Sequence, residues 1–141
     1  MIILDTNVVS EIMRPRPSPG VMAFLDSQAD ASLYLTAVTV AEIMGGVESH
    51  KDEARRDDLR TRADRMFALF VGRELPFDHA ASLIFGTVLG ETRRRGIAVS
   101  FQDCMIAAIA RHRGCTVATR DTAPFRATSV NVIDPFEGGE Q

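Results

Sequence analysis

Cysteine is scarce in this chain: Cys104 and Cys115 are the only two, and they form neither a CxxC pair nor a zinc-ligand spacing. Two lone thiols suit a reducing compartment. Lysine is scarcer still, since Lys51 is the only one among 16 basic residues. Arginine favours phosphate contacts, although coding bias produces the same skew. No apolar run approaches the roughly 18 residues of a membrane span. The opening Met1-Ile2-Ile3-Leu4 has neither a basic start nor a long apolar stretch, so no signal peptide is expected and the location reads as cytoplasmic. An excess of one charge is also missing, because the net charge of −3 exerts no global pull on nucleic acid.

What is present is the composition of an ordinary globule. Apolar residues at 45% and charged residues at 25% exclude disordered and fibrous classes. A chain of 141 residues buries roughly two-thirds of its unfolded surface, enough for one core without staples. No internal repeat or linker breaks it. One domain over 1–136 is expected, with a loose tail at 137–141.

The pattern alternates strands and helices. Ile2-Ile3-Leu4 reads as a buried strand, ended by Asp5-Thr6-Asn7 and followed by a helix over 8–13. The prolines of 14–20 make a loop, and Ser18-Pro19 opens a helix through Leu25. A second strand is expected at 32–35 and a helix from Thr39. The charged stretch 51–72 reads as a long helix whose apolar far end, Met66 to Val71, is expected to be buried. Glu74 to Phe77 suits an edge strand, where proline is tolerated. Helices follow over 80–95 and 101–113, closed by Gly96 and Gly114, with strands at 115–119 and 130–133. Alternation of this kind predicts an α/β fold with a mainly parallel sheet.

Four acids fall at matching places in this layout. Asp5 follows the first strand, and Asp121 follows the strand at 115–119. Glu42 and Asp103 are expected in the first turns of helices. Such positions meet at the carboxyl edge of a parallel sheet, where sites form. Two carboxylates about 4 Å apart repel by roughly 4 kcal/mol at an effective dielectric of 20. A cluster therefore needs protons or a cation, and oxygen-only ligands favour Mg²⁺ or Mn²⁺. Capping is the plain alternative, since Thr39-Val40-Ala41-Glu42 fits a capping box and Ser100-Phe101-Gln102-Asp103 fits one with a shorter acid. Capping does not explain why two separate strands each deliver an acid to the same edge. Thr6 and Ser10 share a helix face and are candidates to orient water or phosphate. Asn7 and Thr119 are candidates to hydrogen-bond the acids or substrate, with capping again the alternative. Arg120 is the best-placed phosphate contact. Arg93-Arg94-Arg95 and the stretch Arg55 to Arg65 are candidate RNA surfaces, or else solvated helix faces. His79 and His112 stand isolated, and Cys104 is expected to pack behind Asp103.

These residues carry a family resemblance over nearly the whole chain. MIILDTNVVSEIMRP, LTAVTVAEIMGGV, SFQDCMIAAIARHRGCTVATRD and VNVIDPF, in that order, resemble the PIN-domain ribonucleases, and within them the VapC-type toxins of the FitB branch. The resemblance implies a three-layer α/β/α sandwich with a mainly parallel sheet of four to five strands. It implies Mg²⁺- or Mn²⁺-dependent RNA cleavage by Asp5, Glu42, Asp103 and Asp121. Asp5 and Asp103 would hold the metal, with Glu42 and Asp121 as direct or water-mediated ligands. Many relatives carry Asn at the last position, whereas Thr119-Arg120-Asp121 places a fourth charge there. The resemblance further implies a homodimer, a VapB-like antitoxin partner and operator DNA reached only through that antitoxin. The helix at 80–92, with Leu83, Ile84, Phe85, Val88 and Leu89, is a candidate two-fold surface, with core packing as the alternative.

Other catalytic folds fit poorly. A haloacid-dehalogenase-like site needs Asp-x-Asp where this chain has Asp5-Thr6-Asn7. A receiver domain needs a late lysine, and a dinucleotide fold needs a glycine-rich first turn; both are missing. Two readings remain beside the toxin nuclease: an RNA-processing nuclease without an antitoxin, and a binding module acting mainly through an antitoxin–operator complex.

Overall fold

The computed structural model describes residues 1–137, so most of the tail expected at 137–141 lies outside the described residues. Its elements run β1 (Ile2–Leu4), α1 (Thr6–Ile12), α2 (Pro19–Asp26), β2 (Leu33–Thr36), α3 (Ala37–Glu48), α4 (Glu53–Ala68) and β3 (Glu74–Leu75). They continue with α5 (His79–Arg94), α6 (Phe101–Arg113), β4 (Thr116–Ala118), α7 (Thr122–Ala127) and β5 (Val132–Ile133). All four strand pairings are parallel, and the order across the sheet is β3-β2-β1-β4-β5. The chain therefore starts at the centre, builds outward to β3, then returns to build the other side. That reversal at β1 is the topological switch point, where crevices open at strand carboxyl ends.

Alternation along each strand supplies both faces of the sheet. Ile3 and Val117 point into a core shared with Ile106, Ile109 and Phe125 of α6 and α7. Leu4 and Ala118, their chain neighbours, point into a second core with Val8, Val21, Ile43 and Met66. Strands buried on both faces read as continuous apolar runs, which is how Ile2-Ile3-Leu4 looks. Helices cover both sides, giving the α/β/α sandwich.

Several elements depart from the sequence reading. The helix after β2 starts at Ala37, because Thr36 at the strand end accepts the Thr39 N–H at 3.1 Å. The box beginning at Thr39 is thus one turn late, and Glu42 sits in mid-helix instead of the first turn. Ser18 makes no side-chain cap; its N–H instead donates to the buried Glu11 carboxylate at 2.9 Å, which ties down the Arg-Pro loop. In the apolar end of 51–72, Met66 and Phe70 are buried in the core and Phe67 packs against it half-buried. Leu69 and Val71 are 65% and 83% exposed, because α4 ends at Ala68 and the chain turns away. Helix α7 is not expected from a stretch containing Pro124. The proline lies in its first turn, where backbone N–H groups have no helical partner to lose. Gly96 and Gly114 close α5 and α6 with φ of +68°, as their place after the last helical turn requires.

Candidate active site

Asp5 leaves the central strand at the switch point and is 5% exposed. Its carboxylate is held from three directions. The Thr6 N–H donates to Oδ1 at 2.8 Å, so Asp5 does cap α1. The Thr119 hydroxyl donates to Oδ2 at 2.8 Å, and the Asn7 amide reaches the same oxygen at 3.3 Å. Thr119 comes from the end of β4, the strand paired with β1, so register alone brings it alongside. Its hydroxyl is fully used, also accepting from the Asn7 amide at 3.1 Å and from the Asp121 N–H at 3.0 Å. Asn7 in turn accepts the Arg120 N–H at 3.2 Å. The turn carrying Asp121 is thereby stitched to the turn carrying Asp5.

Glu42 reaches the same edge from α3. The Thr6 hydroxyl donates to its Oε1 at 3.0 Å and lies 3.2 Å from the Thr39 hydroxyl. This explains Glu42 without a capping box. Asp103 sits half-buried in the first turn of α6, whose N-cap Ser100 accepts the Asp103 N–H at 3.1 Å. Asp121 occupies the N-cap position of α7 without a side-chain cap bond and is exposed. Capping therefore accounts for one of Asp5's bonds and for none of Glu42's or Asp121's.

Electrostatics ties the acids together. Burial raises the Asp5 pKa most; the Thr119 and Thr6 bonds oppose this, and the charges of Glu42 and Asp121 add to it. Burial also raises Glu42, against the Thr6 bond and with help from Asp103. Asp103 is raised by burial, then by Asp5, with Asp121 adding and the Ser100 bond opposing. Among the described residues none of the four carboxylates forms an ion pair. Nor, among these residues, do three acidic, His or Cys side chains converge tightly enough to grip an ion as they stand. The donor set nonetheless fits a hard cation, being oxygen-only and mutually repelling. Half-buried and exposed carboxylates at the rim have the freedom to close on one.

A family description, the PIN domain, matches residues 2–131. The chain is a member of the PIN-domain family. It is 43% identical to the plasmid stability protein StbB of Pseudomonas syringae pv. tomato, over 97% of this chain and 99% of that one. It is 38% identical to the VapC ribonuclease Y4jK of Sinorhizobium fredii, over the same shares. Among solved structures it resembles FitAcB from Neisseria gonorrhoeae, with a TM-score of 0.89 and 40% identity over 96% of this chain and 99% of that chain.

The other candidates in this PIN domain separate clearly. Ser10 is exposed on α1, one turn beyond Thr6 and on the same groove. The Arg120 guanidinium lies over the Phe136 ring, 3.7 Å from its centre. Cys104 is buried behind Asp103, and its thiol pKa is raised mainly by that burial. Both cysteines are free. Arg93 reaches the Phe101 ring at the start of α6, while Arg95 donates to the Ala127 carbonyl. The sequence reading missed Thr39 as a neighbour of Thr6 and Glu42. Its position three after a strand-ending threonine was the available signal.

Proposed function

We propose that this chain is a Mg²⁺- or Mn²⁺-dependent endoribonuclease and the toxin half of a VapBC-like pair, in a single nuclease domain over 1–136. One observation carries the proposal: a buried, over-determined Asp5 at the switch point, electrostatically coupled to three further acids that have no cationic partner among the described residues. The name of the VapC ribonuclease Y4jK, similar over almost the full length of both chains, supports the reaction class. The 40% identity to the toxin FitB of Neisseria gonorrhoeae, over 96% of this chain and 99% of that one, supports the toxin role.

Asp5 and Asp103 are the residues that would hold the metal, with Glu42 and Asp121 binding directly or through water. When bound, the ion polarises the scissile phosphate and makes an attacking water acidic enough to act near neutral pH. Thr119, Asn7 and the Thr6 N–H keep the Asp5 carboxylate in one orientation, so a ligand oxygen stays aimed at the edge. The Thr6 hydroxyl does the same for Glu42, leaving its second oxygen free. Ser10 and Arg120 stand next to these groups as substrate contacts. The partners that follow are an RNA substrate, a VapB-like antitoxin, and operator DNA through that antitoxin. A second copy of the chain docks through α5, where Leu83 is 63% exposed beside half-buried Ile84 and Phe85.

Cleavage of total RNA, followed by end mapping, tests the reaction with wild type and Asp5→Asn, with Mg²⁺ and with EDTA. Defined cuts by wild type with metal alone support the reading; cuts that persist in Asp5→Asn or in EDTA overturn it. An adjacent reading frame encoding a small antitoxin separates a toxin from an RNA-processing nuclease. Sedimentation as a monomer at tens of micromolar rules out the dimer.

A further inference from the structure

Beside Glu42 lies a groove of about 290 Å³, close to the lower limit of usual small-ligand pockets at roughly 300 Å³. It begins at Thr6 and Glu42 and runs away from the sheet edge between α1, α3 and α4. Its floor is apolar, made by Ile43, Val47 and Leu59. Its rim carries Arg14, Arg55, Arg62 and His50. Among the described residues that line it, Glu42 is the one acid, while Glu11 and Asp58 stand behind the rim as partners of its arginines. Counted with Glu11 and Asp58, the ion-pair partners of these arginines, the three cations are matched by three acids, and the positive charge is confined to the Arg55–Arg62 side of the rim.

The rim arginines are not consumed by their ion pairs. Arg55 and Arg62 share one carboxylate, Asp58, at 3.9 and 3.0 Å, which leaves a net positive charge between them. Arg14 is 70% exposed and meets Glu11 at 3.4 Å, while the other Glu11 oxygen takes the Ser18 N–H. Gly46 keeps the α3 wall bare: a Cβ built there meets nothing within 4 Å.

We propose that this groove binds the nucleotide next to the scissile phosphate of a single-stranded RNA, a reading that rests on the proposed nuclease activity. The arginine rim takes the flanking backbone phosphate, and the apolar floor takes the base. Guanidinium groups match phosphate geometry. An apolar floor has a use only for an unpaired base, since the bases of a duplex are stacked inside it. Continuity decides where the strand goes. Glu42 belongs both to the acid cluster and to the groove mouth, so a strand whose phosphate sits on the acids extends directly between the arginines.

Steady-state cleavage of a short fluorescent RNA of mixed sequence, single-stranded and annealed to its complement, tests this. Wild type is compared with the double variant Arg55→Gln/Arg62→Gln, with Gly46→Leu, and with Arg113→Gln as a control at the far end of α6. On the single strand the double variant is expected to raise KM on the order of tenfold with little change in kcat. The slope of log KM against log salt should fall by roughly 0.7 for each RNA phosphate that the variant no longer neutralises. Gly46→Leu fills the groove and should raise KM for the single strand without lowering the melting temperature, because it removes a helix-interior glycine. Arg113→Gln should leave both unchanged. If wild type cleaves while KM and salt slope stay the same in both groove variants, the groove serves something else, such as a protein segment. The inference then falls and the nuclease reading stands. A wild type that cuts no RNA removes the nuclease reading and this subsite with it.

Discussion

Asp5 and Asp121 both lie beyond the carboxyl ends of paired parallel strands, the first directly after β1 and the second two residues past Thr119, which continues the register opposite Asp5, yet they are built in opposite ways. Asp5 is buried and receives hydrogen bonds from Thr6, Asn7 and Thr119. Asp121 is exposed, and its carboxylate receives none within the described residues; only its backbone N–H is tied down, to Thr119. The difference follows from the sheet. β1 is central, flanked by β2 and β4, so its end is walled on both sides. β4 has the short β5 beyond it, and its turn opens to solvent. One acid is a fixed anchor and the other an adjustable arm, a division suited to gripping an ion that arrives with its own water shell.

The largest effect expected from breaking this arrangement is on cleavage. Asp5→Asn and Asp103→Asn should each lower RNA cleavage by at least about 100-fold, measured as kcat/KM, because ligand charge is lost while shape is kept. Asp121→Asn should cost distinctly less, since an exposed arm is the easier ligand for water to replace. Equal losses at Asp5 and Asp121 would erase the distinction between anchor and arm.

Metal should stabilise the protein by mass action. At a concentration 100 times the dissociation constant, Mn²⁺ or Mg²⁺ contributes about 2.7 kcal/mol, readable as a rise in melting temperature of several degrees over EDTA. Asp5→Asn should abolish most of this rise. A melting temperature indifferent to metal in wild type contradicts the site.

Without metal the pH dependence has a definite sign. Burial and mutual repulsion raise the pKa values of Asp5, Glu42 and Asp103 in the folded state. Protonation therefore favours the fold. The penalty is fully present above the raised values and is relieved as pH falls through them toward the ordinary carboxylate range. In EDTA these groups should make wild type gain stability from neutral to mildly acidic pH. Asp103→Asn should flatten the gain and melt no lower at neutral pH, since a repelling charge has gone. If Asp103 only caps α6, the variant instead loses up to about 1 kcal/mol.

Thr119→Val sharpens the comparison on a smaller scale. The shape is kept, but the Asp5 carboxylate loses a buried donor and the Asp121 N–H and Asn7 amide lose an acceptor. A loss of about 1–3 kcal/mol in chemical denaturation is expected. The smallest effect is expected from Arg120→Gln, whose guanidinium is engaged by Phe136, at about 0.5–1 kcal/mol of stability.

The short apolar runs read as strands at 2–4 and 32–35, and found at Ile2–Leu4 and Leu33–Thr36, made the parallel sheet legible, because strands buried on both faces need no polar alternation. Ser100 with Asp103, and glycine at 96 and 114, marked helix ends because capping is chemistry between near neighbours. Glu42 was found for a partly mistaken reason. It was expected in the first turn of a helix beginning at Thr39, but the helix begins at Ala37 after the cap Thr36, and what holds Glu42 is a hydroxyl from another helix. The exposure of Leu69 and Val71 was equally hidden, since an apolar run does not say where its helix stops.

What the sequence by itself determined is the elements other than α7, the placing of Asp5, Asp103 and Asp121 near their ends and the family they signal, because period, capping and turn chemistry act within a few residues. Only the tertiary structure decided which acid is buried, that Thr119 and Asn7 hold it, and that Arg55 and Arg62 of α4 flank a groove opening at Glu42. Those facts depend on β1 lying between β2 and β4 and on α4 folding back over α3. They join residues far apart in the chain, set by packing both faces of one sheet at once, and no local pattern encodes them.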